Sequence, residues 1–288
     1  MVSKPCPRPS YSNLVSQASS LLGAVSDSPR IDSELLLLHV LQQPLAWLLV
    51  YGDTPATPEH DCEFMRLVEQ RRQGQPIAYL LGYKDFWSLR LKVNQHVLIP
   101  RPDTEVVVEQ ALQRLNPQSV CKVLDLGTGS GAIALSIAKE RPKAKIMAVD
   151  SQPEALEVAR NNALTSALDN VTFLQSNWFD NPALSEFDLI AANPPYIQAA
   201  DPHLVQGDLR FEPDTALIGG GDGLDDLRQI INSSPAHLSD SGWLVVEHGF
   251  DQHPEVQALF HQRGFVNVSL ARDLNDHARC TAGQWSAR

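Results

Sequence analysis

The stretch from residue 120 to residue 139 reads VCKVLDLGTGSGAIALSIAK. An apolar run ends at Leu126, glycines stand at 127, 129 and 131, and an apolar helix-period run begins at Ala132. Glycines between a strand and a helix permit a tight turn and let a ligand approach the backbone closely. A second apolar strand, Lys145 to Val149, is followed by Asp150. An acid about 20 residues beyond such a turn suits a ribose diol, so the stretch reads as a site for an adenosine-containing cofactor. Gly127, Gly129 and Ala132 also satisfy the G-x-G-x-x-A spacing of dinucleotide folds. The turn alone therefore does not separate a nicotinamide dinucleotide from S-adenosylmethionine.

Outward from this turn the chain alternates. Helices are expected over Ala132–Lys139, Glu154–Leu164 and Leu224–Leu238, and further strands over Val171–Leu174, Phe187–Ala192 and Trp243–Val246. Such alternation implies an α/β fold whose parallel sheet is covered on both faces. Phe265–Ala271 and Cys280–Trp285 can add two more strands.

Upstream, residues 11–80 carry helical spacing. Leu14, Ala18, Leu21 and Leu22 form one stripe; Ile31, Leu35, Leu38 and Leu41 form a second, with Asp32 and Ser33 as capping residues. Phe64, Leu67, Val68 and Arg71 mark a third helix. From Tyr83 to Pro100 the pattern changes to alternation through Phe86, Leu89, Leu91, Val93, Val97 and Ile99, which predicts a β-hairpin. Pro100-Arg101-Pro102 breaks it, and Asp103 and Thr104 are expected to cap a helix reaching Leu115. The expected organisation is a helical bundle over 1–80, a hairpin linker over 81–101 and the main α/β domain over 102–288.

The choice of cofactor turns on Asn193-Pro194-Pro195-Tyr196, which follows the strand Phe187–Ala192. Neither proline can donate to a ladder, and the first pushes Asn193 out of the helical region. A stiff tip results, bearing a side-chain amide, a phenol and outward carbonyls. Such a tip can grip a planar –NH2 group. An amide or aromatic amine nitrogen is a poor nucleophile and too weak an acid for a side chain to deprotonate. Accepting both of its N–H bonds, with the Asn193 oxygen and the Pro194 carbonyl, would aim its lone pair at a sulfonium methyl. Those acceptors would bind the nitrogen more tightly as it becomes cationic. Hydride transfer has no use for this clamp, so S-adenosylmethionine is the expected cofactor, and Tyr196 is expected to pack on the substrate group or to shape its pocket.

The composition narrows the remaining choices. Thirty-four acids against 23 bases give a net charge of -11, unlike the basic footprint of a duplex-binding protein. Cys6, Cys62, Cys121 and Cys280 form no C-x-x-C pair and the nine histidines no H-x-x-x-H, so neither disulfides nor a metal site is expected. Met1 to Ser10 holds three prolines without an apolar core, and Leu35 to Tyr51 is too short and polar to span a membrane. A cytoplasmic monomer is expected.

The chain resembles the release-factor glutamine methyltransferases along nearly its whole length. The resemblance is carried by RQGQPIAY at 72–79, by LIPRPDTE at 98–105, by DLGTGSG at 125–131, by Asn177-Trp178-Phe179 and by the intact Asn193–Tyr196 tetrapeptide. It implies a class I, Rossmann-like, seven-stranded methyltransferase domain joined to a small N-terminal helical domain. It implies that Gly127, Thr128, Gly129, Ser130, Gly131 and Asp150 contact S-adenosylmethionine, with Trp178 beside the adenine. It also implies that Asn193, Pro194, Pro195 and Tyr196 hold the glutamine of a release factor's Gly-Gly-Gln loop, with the helical domain as a docking element. Arg210-Phe211-Glu212-Pro213 and the Gly219–Gly223 turn are expected to shape the site, and Glu247-His248-Gly249 to be structural. Asp276 stands where many relatives carry glycine. The principal alternative is a nucleic-acid methyltransferase acting on the exocyclic amine of adenine or guanine, which must extract its base; a non-catalytic cofactor-binding sensor is the other.

Overall fold

The computed structural model describes residues 8–286. Residues 1–7, most of the stretch Met1 to Ser10 whose prolines and lack of an apolar core were noted above, lie outside them. The described chain forms two compact units. The first takes the chain as far as Gly82 together with Val205–Phe211, and the second takes Tyr83–Leu204 and Glu212 onward.

The first unit is helical: α1 Tyr11–Leu22, α2 Pro29–Leu41, α3 Leu45–Tyr51, α4 Pro58–Arg72 and α5 Ile77–Leu81. Ser10 caps α1 by accepting from the Asn13 amide, and Thr57 caps α4 through the His60 amide. Leu14, Ala18, Leu22, Leu36, Leu37, Phe64 and Val68 make its core. The expected stripe on α2 is turned partly outward, leaving Ile31 58% and Leu35 37% exposed. Asp32 and Ser33 do not cap this helix, which begins at Pro29; they face inward. Asp32 sets that face, because its carboxylate meets the buried Arg71 at 2.9 Å. Arg71 also binds Asp208 at 2.7 Å, tying the 205–211 segment into this unit.

The second unit opens with an antiparallel hairpin, β1 Tyr83–Phe86 and β2 Leu89–Lys92. The hairpin is shorter than expected; Val97 and Ile99 are buried without belonging to a strand. A 3-10 turn over Pro102–Thr104 leads into α6 Glu105–Arg114. Then follow β3 Lys122–Leu126, α7 Ala132–Glu140, β4 Lys145–Asp150, α8 Pro153–Thr165, β5 Val171–Gln175 and β6 Phe187–Ala192. After a long connection come α9 Asp225–Ser233, β7 Leu238–Glu247, α10 His253–Arg263, β8 Val266–Arg272 and β9 Ala278–Gln284. The expected helix to Leu238 overran: Pro235 disfavours helix at the residue before it, and β7 already begins at Leu238.

The seven strands are ordered β5-β4-β3-β6-β7-β9-β8, with β9 antiparallel to both neighbours and the rest parallel. Successive strand residues go to opposite faces. Val123 joins Ile137 and Val107 on one side, while Leu124 and Leu126 join Ile190, Leu227 and Phe260 on the other. From β3 the chain winds outward through β4 and β5, then returns to β6 on the other side of β3. The carboxyl ends of β3 and β6 thus flank the point where the winding reverses, the place where doubly wound sheets bind ligands. The glycine turn and the Asn193 tip sit at those two ends, with Leu126 paired to Ala192.

Candidate active site

All three turn glycines take positive φ, +67° at Gly127, +54° at Gly129 and +88° at Gly131, a region disfavoured for a side chain with a Cβ. The turn is cross-tied. Thr128 N donates to Val149 O at 2.8 Å, and Gly129 N donates to Asp150 Oδ2 at 2.9 Å. Asp150 Oδ1 accepts from Gln152 N at 3.0 Å, which fixes the carboxylate at the end of β4; burial raises its pKa. Beneath the turn, Asp125 accepts the Thr128 hydroxyl at 2.7 Å and the Ala134 amide at 3.1 Å, both on Oδ2. Its Oδ1 has no partner among the described residues, and burial pushes its pKa up to about 7.

Gly127, Thr128, Gly129, Ser130 and Asp150 line one open cleft. Gly131 does not; it packs on the Leu135 and Ala159 side chains behind the turn. Trp178 closes part of the wall. A Cβ added at Gly127 would lie 3.2 Å from the Trp178 ring, so only glycine lets the two meet this closely. Trp178 holds φ +44°, with its carbonyl accepting from Ser176 Oγ at 2.9 Å and its Nε1 donating to Asp226 at 3.0 Å. The indole thus packs against the core and also faces the cleft. Counting its mouth, the cleft encloses about 900 Å³, room for a small-molecule cofactor.

The tip after β6 reaches the same cleft through Asn193 and Pro195. Asn193 Nδ2 donates to Thr104 Oγ1 at 3.1 Å, and its Oδ1 has no hydrogen-bond partner among the described residues. Pro194 and Tyr196 are not part of the cleft wall. Instead the Tyr196 phenol donates to Glu247 Oε1 at 3.2 Å, and burial raises its pKa well above the usual tyrosine value. The tip is braced from behind. Gln252 Nε2 donates to the Tyr196 carbonyl at 3.0 Å, and Ile197 N donates to Leu217 O at 2.9 Å. Gly219 lies so close to Pro195 that a Cβ there would fall 3.0 Å from the Pro195 carbonyl carbon and closer still to its oxygen. The Gly219–Gly223 turn therefore shapes the site by contact with the tip itself.

Thr104, Asp103 and Glu247 make contacts around this site that their expected roles did not name. Thr104 neither caps α6 nor faces solvent; it is buried and carries the Asn193 amide. Asp103 is likewise not a cap and pairs with Arg279 at 2.9 Å. Glu247, at the end of β7, is buried, and desolvation pushes its pKa up to about 7 despite the donors around it. Its neighbour His248 is structural. Nδ1 meets the Gly249 carbonyl and Nε2 the Thr281 hydroxyl, each at 2.9 Å, and burial pushes its pKa down to about 4. Glu212 accepts from Ile99 N at 2.9 Å and pairs with Arg101, which anchors the segment that lends Pro100 to the cleft wall.

A doubly wound sheet with an adenosine-type turn after β3 and an amide-and-proline tip after β6, both opening on one cleft, defines an S-adenosylmethionine-dependent methyltransferase. Residues 117–249 match the "Methyltransferase domain" family and residues 13–82 the "PrmC N-terminal domain" family. The chain is 50% identical to the release factor glutamine methyltransferase of Xylella fastidiosa, covering 92% of this chain and 97% of that one. It is 46% identical to that of Escherichia coli, covering 96% and 99%. Among solved structures, a methyltransferase from Pyrococcus furiosus superposes with a TM-score of 0.54 at 16% identity, covering 70% of this chain and 91% of that one. That last likeness is one of fold. The chain belongs to the release factor glutamine methyltransferase family.

Proposed function

We propose that this protein methylates the side-chain amide nitrogen of the glutamine in the Gly-Gly-Gln loop of a peptide-chain release factor. One observation carries the reading: Asn193, with its oxygen end free, shares a cleft wall with the glycine turn and Asp150. S-adenosylmethionine, when bound, supplies an electrophilic methyl group on a sulfonium. Residues 127–130 and Asp150 would hold its nucleoside and amino-acid parts, with Trp178 along the adenine. The geometry suits that group, because Gly127 and Gly129 bring no side chains to the cleft wall that they share with the Asp150 carboxylate.

The chain's own residues act on the glutamine. Asn193 Oδ1 and the Pro194 carbonyl accept its two amide N–H bonds, which turns the nitrogen lone pair toward the methyl donor. Orientation of two bound reactants can lower a barrier by roughly 7–11 kcal/mol. As the nitrogen gains positive charge both acceptors bind it more strongly, so the stabilisation falls on the transition state. Pro195 and the Gly219–Gly223 turn keep the tip from yielding, and Tyr196 anchors it to Glu247.

The helical part, residues 1–80, serves as the docking element for the protein substrate, with 81–101 as a hairpin linker and 102–288 as the catalytic domain. Exposed apolar side chains on it support this, notably Leu49 at 87% and Val50 at 70%. The enzyme works as a cytoplasmic monomer, without a membrane and without stably binding nucleic acid. Methyl transfer from labelled S-adenosylmethionine to a purified release factor, beside its Gly-Gly-Gln→Gly-Gly-Ala form, tests the reading. Label on the wild-type factor alone is expected; label on RNA or DNA instead would overturn it.

A further inference from the structure

The two prolines stiffen the backbone of the tip, but they do not fix the Asn193 side chain. An asparagine amide turns broadly about its last torsion, and its two ends are nearly equal in size. Only the oxygen end can accept from a substrate N–H, so the nitrogen end must be held elsewhere. Thr104 does this: it is buried, and its hydroxyl accepts from Asn193 Nδ2 at 3.1 Å. The aim of Asn193 Oδ1 is therefore only as exact as the placement of Thr104.

Thr104 ends the 3-10 turn Pro102–Thr104, where its own amide donates to Arg101 O at 3.1 Å. Pro102 is exposed, whereas the Asp103 carboxylate reaches across to the Arg279 guanidinium on β9 at 2.9 Å. Arg279 is itself firmly seated. Its Nε donates to Asp273 Oδ2 at 3.0 Å, and its carbonyl accepts from His248 N at 2.9 Å. Asp273 is fixed in turn, because its Oδ1 accepts the Asn275 amide at 2.8 Å and the His277 amide at 2.9 Å. A guanidinium presents its donors in a rigid fork, so one arginine can hold two carboxylates at set positions. The Arg279 and Asp273 side chains are only 17% and 3% exposed, which shelters the pairing from the screening that weakens surface ion pairs.

We propose that Arg279 is a positioning residue for methyl transfer: paired with Asp103, it fixes the turn from which Thr104 holds the nitrogen end of the Asn193 amide, leaving the oxygen end to the substrate. The inference rests on the reading that Asn193 Oδ1 holds the substrate amide. The route runs from Asp273 to the tip through contacts of 3.0, 2.9 and 3.1 Å, with one peptide bond between Asp103 and Thr104. Arg279 and Asp103 are not part of the cleft wall, so removing either takes away no group that would meet cofactor or substrate. What changes is where Thr104 stands, and a misplacement of about 1 Å can cost roughly 100-fold in rate.

The test measures kcat on a release factor at saturating S-adenosylmethionine. Thr104→Val should lower kcat roughly 100-fold and Asp103→Ala roughly 10-fold, the range that loss of a partner behind a reacting group spans at metal centres. Thr104→Ser, which keeps the hydroxyl, should stay near wild type. Arg279→Met should match Asp103→Ala; if it fails to fold, the half-exposed Asp103 still carries the test. Cofactor affinity of Asp103→Ala by calorimetry should equal that of wild type, which separates lost aim from a damaged fold. Added to Thr104→Val, Asp103→Ala should cost nothing more, because its effect passes through the missing hydroxyl. A readout free of turnover is the side-chain amide resonance pair of Asn193, assigned by its disappearance in Asn193→Ala. The pair should shift in Thr104→Val and, by less, in Asp103→Ala. Full activity in Asp103→Ala, losses that multiply in the double variant, or resonances unmoved by Asp103→Ala would overturn the proposal. Should wild-type enzyme label no release factor, the substrate reading fails by itself, and the Asn193 resonances still decide whether Asp103 acts on the tip.

Discussion

Gly219 offers a way to move the catalytic tip without touching any residue that would contact substrate or cofactor. Its φ lies outside the positive range, so alanine carries no backbone strain there, and the effect is one of space. The new Cβ would lie 2.8 Å from the Gly223 carbonyl oxygen and 3.0 Å from the Pro195 carbonyl carbon, with the Pro195 oxygen closer still. Ordinary contact begins near 3.4 Å, and every obstacle is backbone that cannot rotate away. The tip must retreat by roughly 1 Å, a misplacement that costs about 100-fold in rate, or about 2.7 kcal/mol. Gly219→Ala should therefore lose about two orders of magnitude in kcat on a release factor. Cofactor affinity, which we assign to the glycine turn and Asp150 across the cleft, should stay within about twofold by calorimetry, and a thermal melt should show a folded protein. A folded Gly219→Ala enzyme with kcat within about threefold of wild type would refute the view that the tip acts through its exact placement.

Asn193→Ala should reduce kcat by on the order of 3 kcal/mol, comparable to a lost oxyanion-hole donor, while its cofactor affinity falls far less; comparable turnover would reject the clamp. For Asp150→Ala, calorimetry should show weaker cofactor binding, since the change removes a carboxylate from the cleft and frees the Gly129 amide it holds; an unchanged affinity would reject that role. Asp125 binds its proton up to about pH 7 when folded but only to its ordinary value of 3.8 when unfolded. The folded state thus holds the extra proton between those values, and the stability it confers is lost as pH rises from about 4 to about 7. The slope is at most about 1.4 kcal/mol per pH unit. Urea unfolding without cofactor should show Asp125→Asn losing less stability than wild type between about pH 5 and about pH 8, and parallel losses would contradict the assignment.

The parts of the site that were legible in the sequence are those whose meaning is local. Three glycines in a strand-to-helix turn and two prolines after a strand impose their backbone consequences wherever they occur, and both motifs stand at the sheet's point of reversal. Thr104 and Glu247 were not legible, because their roles depend on a long-range meeting: Thr104 serves Asn193, 89 residues away, and Tyr196 reaches Glu247 across 51. A buried charge also misled the reading of α2. A stripe drawn through Ile31 and Leu35 obeys hydrophobic period, but Asp32 had to turn inward to meet Arg71. At Asp276, where many relatives carry glycine, the backbone keeps a left-handed conformation at φ +62°, which aspartate tolerates better than most side chains.

The return of residues 205–211 to the helical unit changes what can be cut from this chain. A gene trimmed to begin at Tyr83 would still encode Asp208, now without the buried arginine that receives it, and Arg210, without the Gln73 carbonyl to which its guanidinium donates at 2.7 Å. A fragment ending at Gly82 would leave Arg71 with Asp32 but short of its second carboxylate. The helical unit is therefore completed only after translation has passed residue 211, well beyond its own apparent end. Shuffling it onto another catalytic domain would require moving two pieces of sequence, which makes the pair inherited together by construction.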